Sequence, residues 1–345
     1  MLTAILAVIL FVILILPHEF GHFVVAKSLG VQVNEFAFGM GPAIWKKQRG
    51  ETTYSVRIFP IGGFCAMEGE DEESDNERAF NNKPAWVRIL VLCAGSAMNV
   101  LIAVVIMSLL MGYYGAALTT VDQVTEGSPA EAAGLRTGDT ILYVNDTEIA
   151  EWSDLSPTLA DGTEKTVVVE RNGEEVTLTM TPVELEGRYI IGVTPKVSHS
   201  PALAVRNGCR ASLAMLTTLF DALRQIFTGK ASADDLSGPV GMISLVHESQ
   251  SQGAYFFLYL VAFVSLNLAL FNMLPFPALD GGRILFVFIR LITGKAVTDQ
   301  MEGAVHSWSS PRLTSIESVI IQPSHPLSSP SPPAPNPSQH QSLFH

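Results

Sequence analysis

The feature that most constrains this chain is an apolar run from about Leu2 to about Ala26. About 20 such residues suffice to cross the hydrocarbon of a bilayer as a helix. The run begins MLTAILAV, with no Lys or Arg, and it ends in PHEFGH where a removable secretory signal would carry a small-residue cleavage site. It therefore reads as a retained span. Two further apolar stretches follow, from about Val87 to Tyr114 and from about Ala254 to about Ile292. With 16% charged residues and a mean hydropathy of +0.31, the 345-residue chain reads as an integral membrane protein.

Polar residues inside these runs carry the chemistry. His18, Glu19 and His22 form an H-E-x-x-H pattern within the first span. A lone buried histidine is usually structural. At about 3.6 residues per turn, however, His18 and His22 share a helix face and can offer imidazole nitrogens to a single ion, with Glu19 beside them to handle protons. Counting about 1.5 Å per residue back from Lys27 at the interface places His22 about 8 Å and His18 about 14 Å inside the membrane. The third run is interrupted by NMLPFPALDGG. Pro275 and Pro277 must break a helix, and broken backbone at membrane depth is tolerated only where it is buried or lines a cavity. Asp280 lies just beyond the break, as a helix cap before Gly281-Gly282 or as a third ligand absent from the first span. Two histidines and a carboxylate leave one tetrahedral position open, the layout of a catalytic zinc site. In the second run, CAGSAMN has the small residues of close helix packing, and Asn99 is either interhelical glue or part of the site.

The segments between the spans differ in kind. Residues 31 to 65 alternate polar and apolar with Gly-Pro and Arg-Gly punctuation, which predicts β-hairpins. Residues 118 to about 185 are soluble in composition, with short alternating strands and a hairpin turned at Asn172-Gly173. Residues 200 to 250 read as an amphipathic helical region. The net charge of −12 owes much to MEGEDEESDNE at 67 to 77 and to the segment 118 to 186, and it excludes a basic nucleic-acid face. Cys65, Cys93 and Cys209 lack metal-site spacing and read as free thiols.

Taken together, HEFGH in a first span and NMLPFPALDGG in a later one resemble the site-2 protease family of intramembrane metalloproteases. SPAEAAGLRTGD-ILYVN between them resembles the PDZ domains attached to bacterial proteases. The resemblance implies His18, His22 and Asp280 as Zn2+ ligands, Glu19 as general base and Asn272 as a substrate-positioning residue. It implies the cleavage of single-span membrane proteins such as an anti-sigma factor, as the second cut after an outer protease. It also implies peptide or protein C-termini as partners of the PDZ-like domain. The alternative is a membrane adaptor with a vestigial zinc site. Zinc in such a centre lowers the pKa of its water from 15.7 to about 7. The expected fold is a polytopic α-helical membrane protein with a membrane-associated β-hairpin region and an inserted PDZ-like α+β domain. Its parts are a first transmembrane helix (1–30), a hairpin and acidic loop (31–86), a second transmembrane helix (87–115), the PDZ-like domain (118–186), an amphipathic helical linker (187–253), a third, broken transmembrane segment (254–306) and a Pro/Ser-rich tail expected to be disordered (307–345). Lys27, Lys46, Lys47, Arg49 and Arg57 after the first span, and Arg283, Arg290 and Lys295 after the third, predict both as cytoplasmic ends. The bilayer would be the bacterial inner membrane, with the PDZ-like domain outside and the active site toward the cytoplasm.

Overall fold

The computed structural model describes residues 2–185, 187–229, 236–237, 239–277, 279–293 and 320–321. The tail expected to be disordered lies outside the described residues, except Ile320–Ile321, which pair with Leu236–Ser237. The chain divides into two compact units, one from residues 1–107 and 208–327, the other from 108–207. Among the described residues three helical segments are long and apolar enough to cross a membrane: Leu2–Ser28, Ala85–Tyr114 and Gln252–Asn272. The protein is membrane-associated.

Helix α1 (Leu2–Ser28) is apolar nearly throughout and carries Lys27 in its last turn, where a cation meets the negative end of the helix dipole. Pro17 sits inside it, one residue before His18, and removes the backbone bond that would reach the Ile13 carbonyl. Strands β1 (Val33–Arg49) and β2 (Thr52–Met67) follow as one long, bent hairpin. Gly39, Gly41 and Gly62 adopt positive φ, which a side chain would resist, and these glycines fold the strands back. As a result Phe36 lies between two parts of β2, opposite Cys65 on one side and Tyr54 on the other. Glu51 in the hairpin turn accepts bonds from the two terminal guanidinium nitrogens of Arg78 and, at 2.6 Å, from Lys27. The Arg78 bonds, with Lys27, draw its carboxyl down to about 2. That pair of cations fastens the hairpin to the end of α1.

Helix α2 (Ala85–Tyr114) returns beside α1. The approach is close: a Cβ at Gly21 would stand 2.4 Å from the Ala94 carbonyl oxygen, so only glycine fits there. Ala26, Val31, Val33, Cys65, Val91, Leu92 and Val287 share one buried cluster that joins the end of α1, the base of the hairpin, the start of α2 and the last helix.

In the second unit, β3 (Ala116–Val124), β4 (Thr140–Val144), β6 (Lys165–Arg171), β7 (Glu174–Met180) and β10 (Val193–Ser198) form a sheet of order β10-β3-β4-β6-β7, with β5 (Thr147–Glu148) paired to β4. Between these strands lie the short helices α3 (Pro129–Ala132) and α4 (Leu155–Leu159) and a small separate ribbon of β8 (Val183–Leu185) and β9 (Arg188–Ile190). Ser128 caps α3 through its hydroxyl, with Pro129 in the first turn, and β6 turns into β7 at Asn172-Gly173, both with positive φ. Ile141, Val144, Val167, Val169 and Leu155 fill the core. The sheet extends past residue 186, where the sequence reading ended this domain, because β10 pairs with β3.

Helix α5 (Pro201–Phe227) leads to α6 (Pro239–Asn272), which is broken at Gly253 by a φ of 83°. A non-helical turn containing Pro275 and Pro277 separates α6 from α7 (Asp280–Thr293), the break expected from the two prolines. Gly281 and Gly282 are needed at the start of α7. A Cβ on either would fall within 2.4 Å of the carbonyl oxygens of Met273, Leu274 or Phe276 in the turn pressed against it.

Candidate active site

The three candidate ligands come from the middle of α1 and the first residue of α7. His18 and His22 are buried on one face of α1, with their Nε2 atoms 3.1 Å apart. Asp280 Oδ2 lies 3.4 Å from each of those nitrogens. The three donor atoms therefore converge on one point, and among the described residues this is the one cluster of His, Cys, Asp or Glu that could hold a metal ion.

The geometry fits zinc on this chain's own atoms. Bonds of about 2.0–2.1 Å in a tetrahedron set neighbouring donors about 3.4 Å apart. Asp280 Oδ2 is buried and has no hydrogen-bond partner among the described residues, so this oxygen is not used up as a helix cap. A buried carboxylate oxygen facing two imidazole nitrogens without a bond is what a coordination site looks like from its donors. Asn272, the last residue of α6, brings its Nδ2 to 3.3 Å from His18 Nε2. Glu19 lies one residue round the helix, with its carboxylate in the field of His18, His22 and Asp280. Each residue that the sequence marked is thus within one constellation.

Helix α2 supplies what the sequence reading did not resolve. His22 Nδ1 donates to the Val91 carbonyl at 2.8 Å, which leaves Nε2 free to ligate. Gly95 lies against both rings: a Cβ there would stand 2.3 Å from His22 Nε2 and 2.6 Å from His18 Cε1. Asn99 is fully buried beside His18. Positions 91, 95 and 99 repeat every four residues, so one stripe of α2 faces the imidazoles. The small-residue run CAGSAMN was the only trace of this in the sequence.

Outside the spanning helices, Arg283 ties α7 to the loop after β2. It is bonded to Glu70 and, at 2.9 Å, to Asp71. Burial pushes the Glu70 carboxyl up, against the pull of Arg283. The cysteines are free, as expected.

Apolar helices enclosing a His-His-carboxylate centre with a glutamate beside it define a membrane-associated metallohydrolase. The chain belongs to peptidase family M50, whose sequence model matches residues 6–310. It is 38% identical over 309 residues to a candidate zinc metalloprotease of Clostridium acetobutylicum, covering 88% of this chain and 91% of that one. A similar protein of Clostridium perfringens is also 38% identical, with 88% and 92% covered. The zinc metalloprotease RasP of Shouchella clausii is 29% identical, with 88% and 94% covered. This chain is a zinc metalloprotease of the site-2 protease type.

Proposed function

We propose that this metalloprotease cleaves peptide bonds within the transmembrane segments of single-span membrane proteins. The observation that carries the reading is the convergence of His18, His22 and Asp280 within the apolar helices, with Glu19 alongside. His18, His22 and Asp280 would hold the zinc, which when bound supplies the Lewis acidity that makes water nucleophilic near neutral pH. Glu19 takes a proton from the attacking water on its carboxylate and returns it to the amide nitrogen as the C–N bond breaks. Asn272 directs its amide at the same point and positions the scissile peptide.

A transmembrane helix hides every carbonyl in its own hydrogen-bond ladder, so the substrate must unwind before cleavage. The segment Gly63–Cys65 of β2 supports a role in holding it. A Cβ at Gly63 would lie 3.7 Å from Glu19 Cγ, so a peptide added along this strand would run beside the base. The hairpin also exposes Met40, Ile44, Trp45, Ile58 and Phe59 among its basic residues, a composition suited to the interface of a bilayer. The basic residues at the span ends favour a cytoplasmic active site with the second unit on the outer face of a bacterial inner membrane. That unit, PDZ-like in sequence, would read the new C-termini left by an outer protease or filter substrates by size. The enzyme would then make the second cut, releasing the cytoplasmic part of a membrane-anchored regulator such as an anti-sigma factor.

The test is Glu19→Gln in purified protein, assayed for zinc content and for cleavage of a single-span substrate. We expect full zinc occupancy with turnover reduced by about 10²-fold or more, because an amide cannot take up the proton. Near wild-type turnover would remove Glu19 from the reaction.

A further inference from the structure

The two imidazoles are supported unequally. His22 has a definite tautomer, because its Nδ1–H donates to the Val91 carbonyl. Among the described residues, His18 Nδ1 has no such acceptor. The group facing its Nδ1 is the Asn99 amide, whose nitrogen, a donor, is 3.4 Å away. At the same time Asn99 Oδ1 is buried and has no hydrogen-bond partner among the described residues. For His18 Nε2 to offer a lone pair to an ion, Nδ1 must carry the proton, and then two donors face each other. A half-turn of the amide about its last side-chain bond replaces the nitrogen by the oxygen and gives the orphaned acceptor its donor.

We propose that Asn99 is a positioning residue of the metal centre, whose amide oxygen accepts from His18 Nδ1–H and holds His18 in the ligating tautomer when zinc is bound. The inference rests on the ligand set argued above. The other side of the ring points the same way. With the Asn99 nitrogen toward His18, Nδ1 would accept and Nε2 would carry the proton, setting Nε2–H against the Asn272 Nδ2 donor at 3.3 Å. With its oxygen toward His18, Nδ1 donates and Nε2 is free for the ion. A carboxylate or carbonyl commonly performs this service for a ligating histidine, and Val91 does so for His22. Asn99 is well anchored for it, since its own carbonyl accepts from Ser265 Oγ at 2.9 Å on α6. A substitution of the side chain leaves that backbone bond in place.

The experiment measures zinc affinity by chelator competition on the full chain in detergent, for wild type, Asn99→Leu and Asn99→Asp, with His18→Ala as reference. Leucine keeps the volume and removes the acceptor, whereas aspartate keeps the acceptor and removes the donor. We expect Asn99→Leu to bind zinc about 10- to 100-fold more weakly and Asn99→Asp to stay within about threefold of wild type. The cobalt-substituted proteins should follow the same order in their visible absorption. Wild-type affinity in Asn99→Leu would overturn the proposal, and so would equal losses in both variants, which would mark a packing role only. If Asn99→Leu fails to fold, Asn99→Asp still decides: a loss of more than tenfold overturns the proposal. Wild-type protein that binds no zinc, or His18→Ala that binds it as tightly, would defeat the ligand set itself and this inference with it.

Discussion

Gly95 is the residue where a single methyl group should do most damage. Its Cα lies against the rings of His18 and His22, and a Cβ would fall 2.3 Å from His22 Nε2. The neighbour is the end of a side chain that can swing, so Gly95→Ala should displace the imidazoles rather than separate the helices, at a stability loss of about 1–3 kcal/mol. Zinc affinity should fall by about tenfold or more, read by chelator competition beside a thermal melt. Asp280→Ala removes one anionic ligand of three and should likewise lower affinity, while unchanged zinc binding would put the third ligand elsewhere. At this scale the sequence was legible where residue type and spacing are rare. Two histidines four apart and a carboxylate beside Pro and Gly have few uses inside a membrane. Gly95 was not legible, because glycine in a span is a common packing residue and nothing local says which one touches a ligand.

The elements separate into those whose signal is local and those whose partner is distant. The turn at Asn172-Gly173 and the break at Pro275 and Pro277 follow from backbone chemistry alone, and both stand where expected. Strand β10 falls in the segment 187–253, expected from the sequence as an amphipathic helical linker, and it contains Pro195, a residue that a central strand excludes. It is tolerated because β10 is at the edge of the sheet, and only the pairing with β3 reveals it. The hairpin shows the converse: alternation predicted its strands, but their folding back depends on Gly39, Gly41 and Gly62 together. In the second unit, buried Asp139 of the β4 approach is held by Arg171 of β6 through two bonds of 2.6 and 2.8 Å. Burial raises its carboxyl, but the bonds from Arg171 and the Arg136 N–H outweigh that and hold it below the usual range. Its folded value thus lies below the unfolded value of about 3.9. The stabilisation is complete above that pH and is lost as pH falls through the folded value. Hydrogen-exchange protection of β6 and β7, taken relative to the intrinsic rate at each pH, should fall on acidification below about pH 4. Arg171→Met should cost about 3 kcal/mol at neutral pH, by leaving a buried carboxylate without its cation, and should blunt the acid sensitivity.

For the whole molecule, three apolar spans and a polar unit between the second and third were evident from hydropathy, because the bilayer imposes its thickness on any sequence that crosses it. Which helix faces touch was not evident, since lipid-facing and buried positions are equally apolar. The charge bias at the span ends predicts that Asn172→Cys, in the second unit, reacts with an impermeant thiol reagent on intact cells and that Gly50→Cys, in the hairpin turn, does not. The reverse pattern would invert the proposed topology. The central claim is the metal centre itself, and zinc K-edge X-ray absorption on the purified protein tests it most directly. The account predicts one zinc per chain with only nitrogen and oxygen neighbours at about 2.0–2.1 Å, two of them imidazole. Sulfur scattering at about 2.3 Å, or a protein that retains no zinc, would contradict it.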